Sequence, residues 1–202
     1  ETLDQLRLNE SVELFTERAA AASGRFELTT ANRTAVVDVC RRLDGLPLAI
    51  ELAAVRTRVL SVEQIDARLA DRFGLLTGGS RAALPRHQTL RTAIEWSHDL
   101  LGWEERILFR RLSAFAGRFT LDDVAPVCAF DDVPPATVLD VLSSLVDKSL
   151  VLKDDVQGIA CYRLHESMRE FAGLKTREAD EEEAAELRCI DHYVSEGRTN
   201  AA

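Results

Sequence analysis

The stretch VLDVLSSLVDKSLVLKDDVQGIACYRL, residues 138–164, changes its hydrophobic period once and decides the fold of its half of the chain. From about residue 134 to 146, apolar side chains recur at the three- and four-residue spacing of an amphipathic helix. Residues 150–152 then predict a strand, 154–158 a turn and 159–164 a second strand. Helices followed by a two-stranded hairpin are the layout of a winged helix.

Three further helices are predicted before this stretch. The first runs from Leu90 to Leu101, the second begins near Glu104, and a short third ends at Cys128. The run FTLDD, residues 119–123, superficially resembles a strand that ends in paired acids, as in a Walker B motif. A helix capped by Thr120, with two acids in its first turn, is the better interpretation.

Residues 1–79 predict four short helices with tight turns, which together indicate a small helical bundle. Gly45 ends one helix, and Pro47 begins the next at the position where a missing N–H costs nothing. Ser61 with Gln64 three residues later is a capping box that begins the fourth helix. The fold class expected is therefore mainly α: a four-helix bundle, a winged helix with a short β-hairpin, and a C-terminal helix.

The run GLLTGGSRAALPRHQ, residues 74–88, breaks all periodicity and predicts a linker. We place the domain boundary there. The expected domains are a helical bundle at 1–79, a winged-helix domain at 80–165 and a helical extension at 166–202. The extension is expected to begin a further domain, and the chain, which starts without Met, to be a fragment.

The charge balance argues against polyanionic partners. The net charge is −9, with −2 in residues 1–79, −1 in 80–153 and −6 in 154–202. No segment has the basic surplus that binding to duplex DNA or to an anionic membrane usually needs. The four cysteines form no CxxC pair, which indicates reduced thiols in a cytosolic protein and gives no metal signature. No apolar run is long enough to span a bilayer.

Several ordered blocks resemble one family. The run CRRLDGLPLAIELAA, residues 40–54, resembles the GLPL motif of STAND (NB-ARC-type) ATPases, in the form found in large LuxR-type bacterial transcriptional regulators. The runs SVELFTERA, RHQTLR, LVDKSL and YRLHESMRE, which begin at residues 11, 86, 145 and 162, resemble neighbouring blocks of that family. Together they cover roughly residues 8–175, in order and at family spacing.

The resemblance implies a nucleotide-dependent switch. In the family, ADP or ATP lies between an upstream P-loop domain, the GLPL bundle and the winged helix. Gly45, Leu46 and Pro47 would then belong to the nucleotide site, with Pro47 packed near the adenine, and His165 would reach the β-phosphate of ADP. His165 stands in Arg-Leu-His-Glu where the family has Met-His-Asp, a departure that weakens its assignment. Release of the nucleotide is expected to expose surfaces for homo-oligomerisation.

The chain carries no GxxxxGK[ST] loop, so we expect no catalytic residue, no bound metal and no ATPase activity without the P-loop domain. Two alternatives stay open: a winged helix that binds DNA directly, and a non-catalytic protein-interaction scaffold. The charges at the candidate recognition helix, Asp140 and then Asp147 and Lys148, disfavour direct duplex DNA binding.

Overall fold

Within its described residues, the first of two compact units, residues 1–100, holds six α-helices. A computed structural model describes residues 3–77, 86–195 and 197. The helices are α1 (Leu3–Arg7), α2 (Glu10–Ser23), α3 (Arg33–Arg42), α4 (Pro47–Ala54), α5 (Val62–Thr77) and α6 (Arg86–Asp99), with a 3-10 turn at Val55–Arg58. The core forms where α2 packs on α4 and α3 packs on α5. Its fully buried side chains include Phe15, Val36, Leu43, Ile50, Leu52 and Ile65.

Local sequence signals explain where these helices begin and end. The Asn9 side chain accepts hydrogen bonds from the Ser11 and Val12 N–H groups at 3.1 and 3.3 Å, which caps α2. The predicted capping box at α5 is confirmed: Ser61 and Gln64 exchange backbone-to-side-chain hydrogen bonds of 3.0 and 3.3 Å.

The chain divides into its two compact units after Leu100, and the predicted domain bounds stay a prediction. The predicted boundary at 79/80 and most of the predicted linker lie outside the described residues, and the division falls after Leu100. Helix α6, assigned by sequence to the winged-helix domain, packs on α4 of the first unit. Its Ile94 and Trp96 are buried, and the Ser97 carbonyl accepts a hydrogen bond from Arg56 at 3.1 Å. Burial of this apolar face accounts for the position of α6 in the first unit. Hydrophobic periodicity shows that a helix has an apolar face but not which element covers it.

The second unit comprises residues 101–202 and holds three helices, a small sheet and two final helices. In chain order they are α7 (Trp103–Arg111), β1 (Phe119–Thr120), α8 (Leu121–Cys128), α9 (Val138–Asp147), β2 (Leu152–Val156), β3 (Ile159–Arg163), α10 (Glu166–Glu178) and α11 (Glu182–Ser195), with 3-10 turns at Leu112–Ala114 and Pro135–Thr137. The described chain is thus mostly helical with a winged-helix domain, as the sequence predicts.

The sheet is antiparallel with strand order β1-β3-β2. Phe119 pairs with Tyr162, and Asp154 pairs with Cys161. The strand predicted at 150–152 instead begins at Leu152 and continues to Val156. Leu150 and Val151 are each 1% exposed and belong to the core, so their hydrophobicity reflects burial before the strand begins. The two-residue strand β1 escapes prediction because it is too short for any period.

Helix α8 begins with the predicted cap. Asp123 accepts hydrogen bonds of 2.7 Å from both the N–H and the hydroxyl of Thr120. The other oxygen of Asp123 lies 2.8 Å from Nε2 of His192, which joins α8 to α11. The capping interpretation is therefore confirmed over the Walker B pattern, and His192 is an interfacial histidine.

The C-terminal extension packs within the second unit, with α10 on α7 and α11 on α8. Arg110 and Arg111 each donate two hydrogen bonds to the carboxylate of Glu181, at N–O distances between 2.7 and 3.1 Å. These contacts bury the two helices against the rest of the second unit, and the domain bounds predicted for residues 166–202 stay a prediction. Among the described residues, no helix combines the length and apolarity needed to cross a bilayer.

Candidate functional site

The third helix of the winged helix, α9, is the element that a helix-turn-helix protein would place against DNA. Its buried face holds Val138, Val141, Leu142 and Leu145. Its exposed face carries Leu139, which is 54% exposed, together with Asp140, Ser143 and Asp147. This face therefore offers carboxylates and an aliphatic side chain, and no cation.

The lysine that follows α9 is already paired. Glu105, at the start of α7, accepts hydrogen bonds from Lys148 and from the Ser144 hydroxyl, the latter at 2.5 Å. The Gly102 N–H donates to the same carboxylate at 2.7 Å. Burial alone would raise the pKa of Glu105, but these hydrogen bonds outweigh it and lower that pKa. Glu105 therefore stays ionised at neutral pH and neutralises Lys148.

The wing formed by β2 and β3 also pairs one of its two cations, Arg163, with a carboxylate of the same hairpin. Arg163 and Arg118 donate to Asp154 at 3.0 and 3.3 Å. The hydrogen bond from Arg163, helped by Arg118, lowers the pKa of Asp154. Beyond this cluster the wing exposes Ile159 at 58%. Sequence reasoning missed this arrangement, although the alternation of β2 and β3 could have placed Asp154 and Arg163 on neighbouring strands.

His165 lies where the sequence predicts, between the last strand and α10. It is exposed and forms the N-cap of α10, with extended backbone at φ −62° and ψ 147°. Its Nδ1 accepts a hydrogen bond from the Ser167 N–H at 3.3 Å, which assigns the proton of the neutral ring to Nε2. An Nε2–H on an exposed ring beside a helix N-terminus has the chemistry to donate to an anion.

The GLPL turn has the predicted backbone. Gly45 has φ +66°, Leu46 is the N-cap of α4 and Pro47 is its first residue. A Cβ at Gly45 would lie 3.2 Å from the hydroxyl of Ser11, so position 45 is restricted by contact as well as by conformation. Gly45 and Pro47 are exposed.

The predicted site residues thus form two groups. Gly45, Leu46 and Pro47 share one turn of the first unit, and His165 belongs to the second. Their nucleotide contacts stay predictions. Among the residues the structure describes, no cluster of three or more His, Cys, Asp or Glu side chains could hold a metal ion.

The order of α7, β1, α8, α9 and the β2–β3 hairpin agrees with a comparison against protein families. Residues 101–175 match the winged helix-turn-helix domain family. The fold of this segment is that of a winged helix. The match ends within α10, before α11 and before Glu181, so the compact unit is longer than the family segment.

Three relatives extend the similarity to nearly the whole chain. The chain is 48% identical over 93% of its length to "Putative HTH-type transcriptional regulator Rv0890c" of Mycobacterium tuberculosis, and covers 21% of that protein. It is 42% identical over 91% to "Uncharacterized protein Rv0894" of the same species, covering 47% of it. It is 30% identical over 96% to "Regulatory protein AfsR" of Streptomyces griseus, covering 19%.

The chain therefore spans about a fifth to a half of the length of these relatives. Two of the three are named as regulators, and none is named as an enzyme. The domain match and the relatives' names favour the alternative of a DNA-binding winged helix over nucleotide clamping.

Proposed function

We propose that this chain is the non-catalytic, winged-helix regulatory module of a larger transcriptional regulator. The observation that carries the proposal is the winged-helix domain of residues 101–175 within a chain similar throughout to named regulators. The experiment is deletion of residues 101–195 from the parent, followed by measurement of transcripts in the cell. Loss of regulated transcription at unchanged protein level is expected; unchanged transcription would contradict the proposal.

We further propose that the module acts through protein contacts inside the regulator rather than by gripping duplex DNA. The exposed face of α9 carries Asp140 and Asp147, and the following Lys148 is held by Glu105. Duplex DNA binding depends on cations placed against phosphates. Residues 101–175 carry 9 basic and 12 acidic side chains, and much of the basic set is paired internally.

Direct DNA binding is the second candidate, favoured by the helix-turn-helix match and by the relatives' names. Fluorescence anisotropy with a labelled duplex pool of random sequence, at low and at physiological salt, separates the two. We expect no saturable binding below about 1 µM at physiological salt, where ordinary non-specific DNA binding has a Kd of roughly 1–100 µM. Sub-micromolar binding that weakens with salt and is lost in Lys153→Ala would establish the DNA candidate instead. Asp140→Asn, which removes a charge from α9, is the matched variant and should tighten binding only if α9 faces DNA.

The finer proposal concerns the nucleotide. With an upstream P-loop domain, ADP or ATP would contact Gly45, Leu46 and Pro47 and accept a hydrogen bond from Nε2 of His165. A hydrogen bond to a charged phosphate contributes about 1.5–3 kcal/mol, or roughly tenfold or more in affinity. Loss of ADP would then release the winged helix and favour assembly of the parent. Support comes from the family-like motifs, the exposed GLPL turn and the exposed imidazole ring.

The test replaces His165 in the parent by Ala and by Asp. Both remove the imidazole donor, but Asp preserves helix capping and places a negative charge beside the predicted phosphate. We expect both variants to retain less ADP through purification and to assemble more readily, while only Ala lowers the melting temperature. If Asp restores both stability and wild-type ADP content, His165 serves only as a helix cap.

A further inference from the structure

Helix α11 has a second apolar face that its own unit does not use. One side of the helix buries Ala185 and Cys189, in contact with α8. On the opposite side Leu187, Ile190 and Val194 are 53%, 55% and 74% exposed. Their three- and four-residue spacing puts them in a single stripe. A continuous apolar stripe that faces solvent indicates a contact surface.

Carboxylates border this stripe. At 100° per residue, Glu186 lies on one side, Asp191 on the other, and Glu183 in line one turn earlier. The cation of the same helix turns away: Arg188 donates to the Pro126 carbonyl at 3.2 Å. The stripe is therefore apolar in the middle and acidic along its edges.

The acidic edges select the kind of partner. A second copy of the chain, packed stripe to stripe, would bring like charges together at both edges, which disfavours self-association. A helix with aliphatic residues in the middle and Lys or Arg along its edges would satisfy both the apolar and the charged parts. An amphipathic helix laid on a facing helix is a common way of burying such a stripe.

The small area of the stripe indicates that the partner helix belongs to the same polypeptide. A stable interface between separate proteins buries about 1,600 Å² in total, far more than three aliphatic side chains supply. A tethered segment meets the stripe at a high effective concentration and needs much less surface. The relatives named as regulators have ample additional sequence, because the chain covers only 19–21% of their length.

We propose that Leu187, Ile190 and Val194 form the docking face for a basic-edged amphipathic helix supplied by another segment of the parent polypeptide. Docking would fix the winged-helix unit to that segment, because α11 is itself held to α8 by His192 and to α7 by Glu181. The proposal rests on the larger parent given as the proposed function, but not on nucleotide binding or on how the winged helix acts on transcription.

Carbene footprinting of the parent and of the 202-residue chain tests this directly. We expect the three stripe residues to label freely in the chain and about tenfold less in the parent, as a docked population of roughly ten to one requires. Leu139 on α9, with a similar exposure of 54%, is the internal reference for general differences in labelling. Equal labelling of the stripe in the two proteins would overturn the proposal.

Photo-cross-linking identifies the occupant. Replacing Ile190 by p-benzoylphenylalanine in the parent should yield an intramolecular adduct with a Lys- or Arg-containing peptide from outside residues 1–202. An adduct with a second copy of the parent, with another protein or with residues 1–202 themselves would contradict the proposed source. The control is the parent with p-benzoylphenylalanine in place of Leu139. It tests whether the unnatural residue disturbs folding, and it should not give that adduct.

Discussion

Two carboxylates of the second unit each hold a pair of arginines, one inside the unit and one at its surface. Glu181 binds Arg110 and Arg111, whose side chains are 20% and 1% exposed. Asp154 binds Arg118 and Arg163, which are 58% and 42% exposed. The chemistry is the same, but water screens the second cluster and competes for its charges. The comparison indicates that burial rather than the number of partners decides what each carboxylate contributes.

The buried cluster is further tied to the backbone. Arg111 donates to the carbonyl oxygens of Cys128 and Phe130 at 3.1 and 2.7 Å, and its guanidinium lies 3.5 Å from the centre of the Phe130 ring. Such a guanidinium has exchanged all its water for protein contacts. Removing a partner would strand a buried charge, which costs more than the pair itself contributes.

The largest effect is expected for Glu181→Gln. This change removes the counter-charge of two guanidinium groups, one of them fully buried, and should lower the free energy of unfolding by about 3 kcal/mol or more. Urea unfolding of the 202-residue chain measures it. Glu182→Gln, which removes an exposed pair with Arg177, is the neighbouring control and should change little. A loss no larger than that of the control would remove the contrast between the clusters.

Arg111→Lys should come next, with a loss of about 2 kcal/mol. A lysine keeps the charge but cannot reach the carboxylate and two carbonyl groups at once. Arg118→Lys, the equivalent change in the surface cluster, should leave the unfolding midpoint unchanged. Equal urea midpoints for the two lysine variants would mean that the charge at position 111 stabilises the buried cluster and that the several donors of the guanidinium add nothing.

Lowering the pH should remove the stabilisation that Glu181 provides. Burial raises the pKa of Glu181, but hydrogen bonds from Arg110 and Arg111 outweigh it and bring that pKa to about 2, below the ordinary 4.5. Because the folded-state pKa is lowered, the stabilisation is present above the unfolded pKa near 4.5 and is lost as pH falls toward 2. The stability difference between wild type and Glu181→Gln should stay constant from pH 7 to 5 and shrink below 4.5. A difference that persists unchanged to pH 2.5 would contradict the charged pairing.

The smallest effect is expected for Asp154→Asn. The pKa of Asp154 is lowered in the same direction by Arg163 and Arg118, but the group is open to solvent. Its loss should not move the urea midpoint measurably, at low or at high salt. The variant would instead free two arginines on the wing, which the DNA anisotropy assay would register as tighter binding if the wing approaches DNA.

Much of this architecture could be predicted from local signals. The helix from Pro47, the cap at Ser61 and the winged helix followed from periodicity and capping chemistry, which act within a few residues. The extent of β2 and the placement of α6 could not, because Leu150, Val151 and Trp96 are apolar for reasons of burial against distant elements. The partnership of Arg111 with Glu181 spans 70 residues and left no local pattern.

The candidate site divides in the same way. The turn at Gly45 and the position of His165 between β3 and α10 are local, and both were predicted, whereas the helix-capping role of His165 was not. The charge of the winged-helix surface is not local: it depends on Glu105 reaching Lys148 and on Asp154 reaching Arg118, across 43 and 36 residues. Counting charges along the sequence predicts the sign of the net charge. It does not predict which cations are neutralised by a nearby carboxylate.

The distance along the chain between Arg111 and Glu181 also has a consequence for synthesis. A ribosome makes Arg111 seventy residues before its carboxylate partner, and the whole winged-helix segment of residues 101–175 is finished before Glu181 is added. Until then the nascent segment must leave the guanidinium in water or bury it without a counter-ion. The ion cluster of Arg110, Arg111 and Glu181 can therefore form only after the segment that leads into α11 has been made. The β2–β3 wing is synthesised before this cluster can be completed.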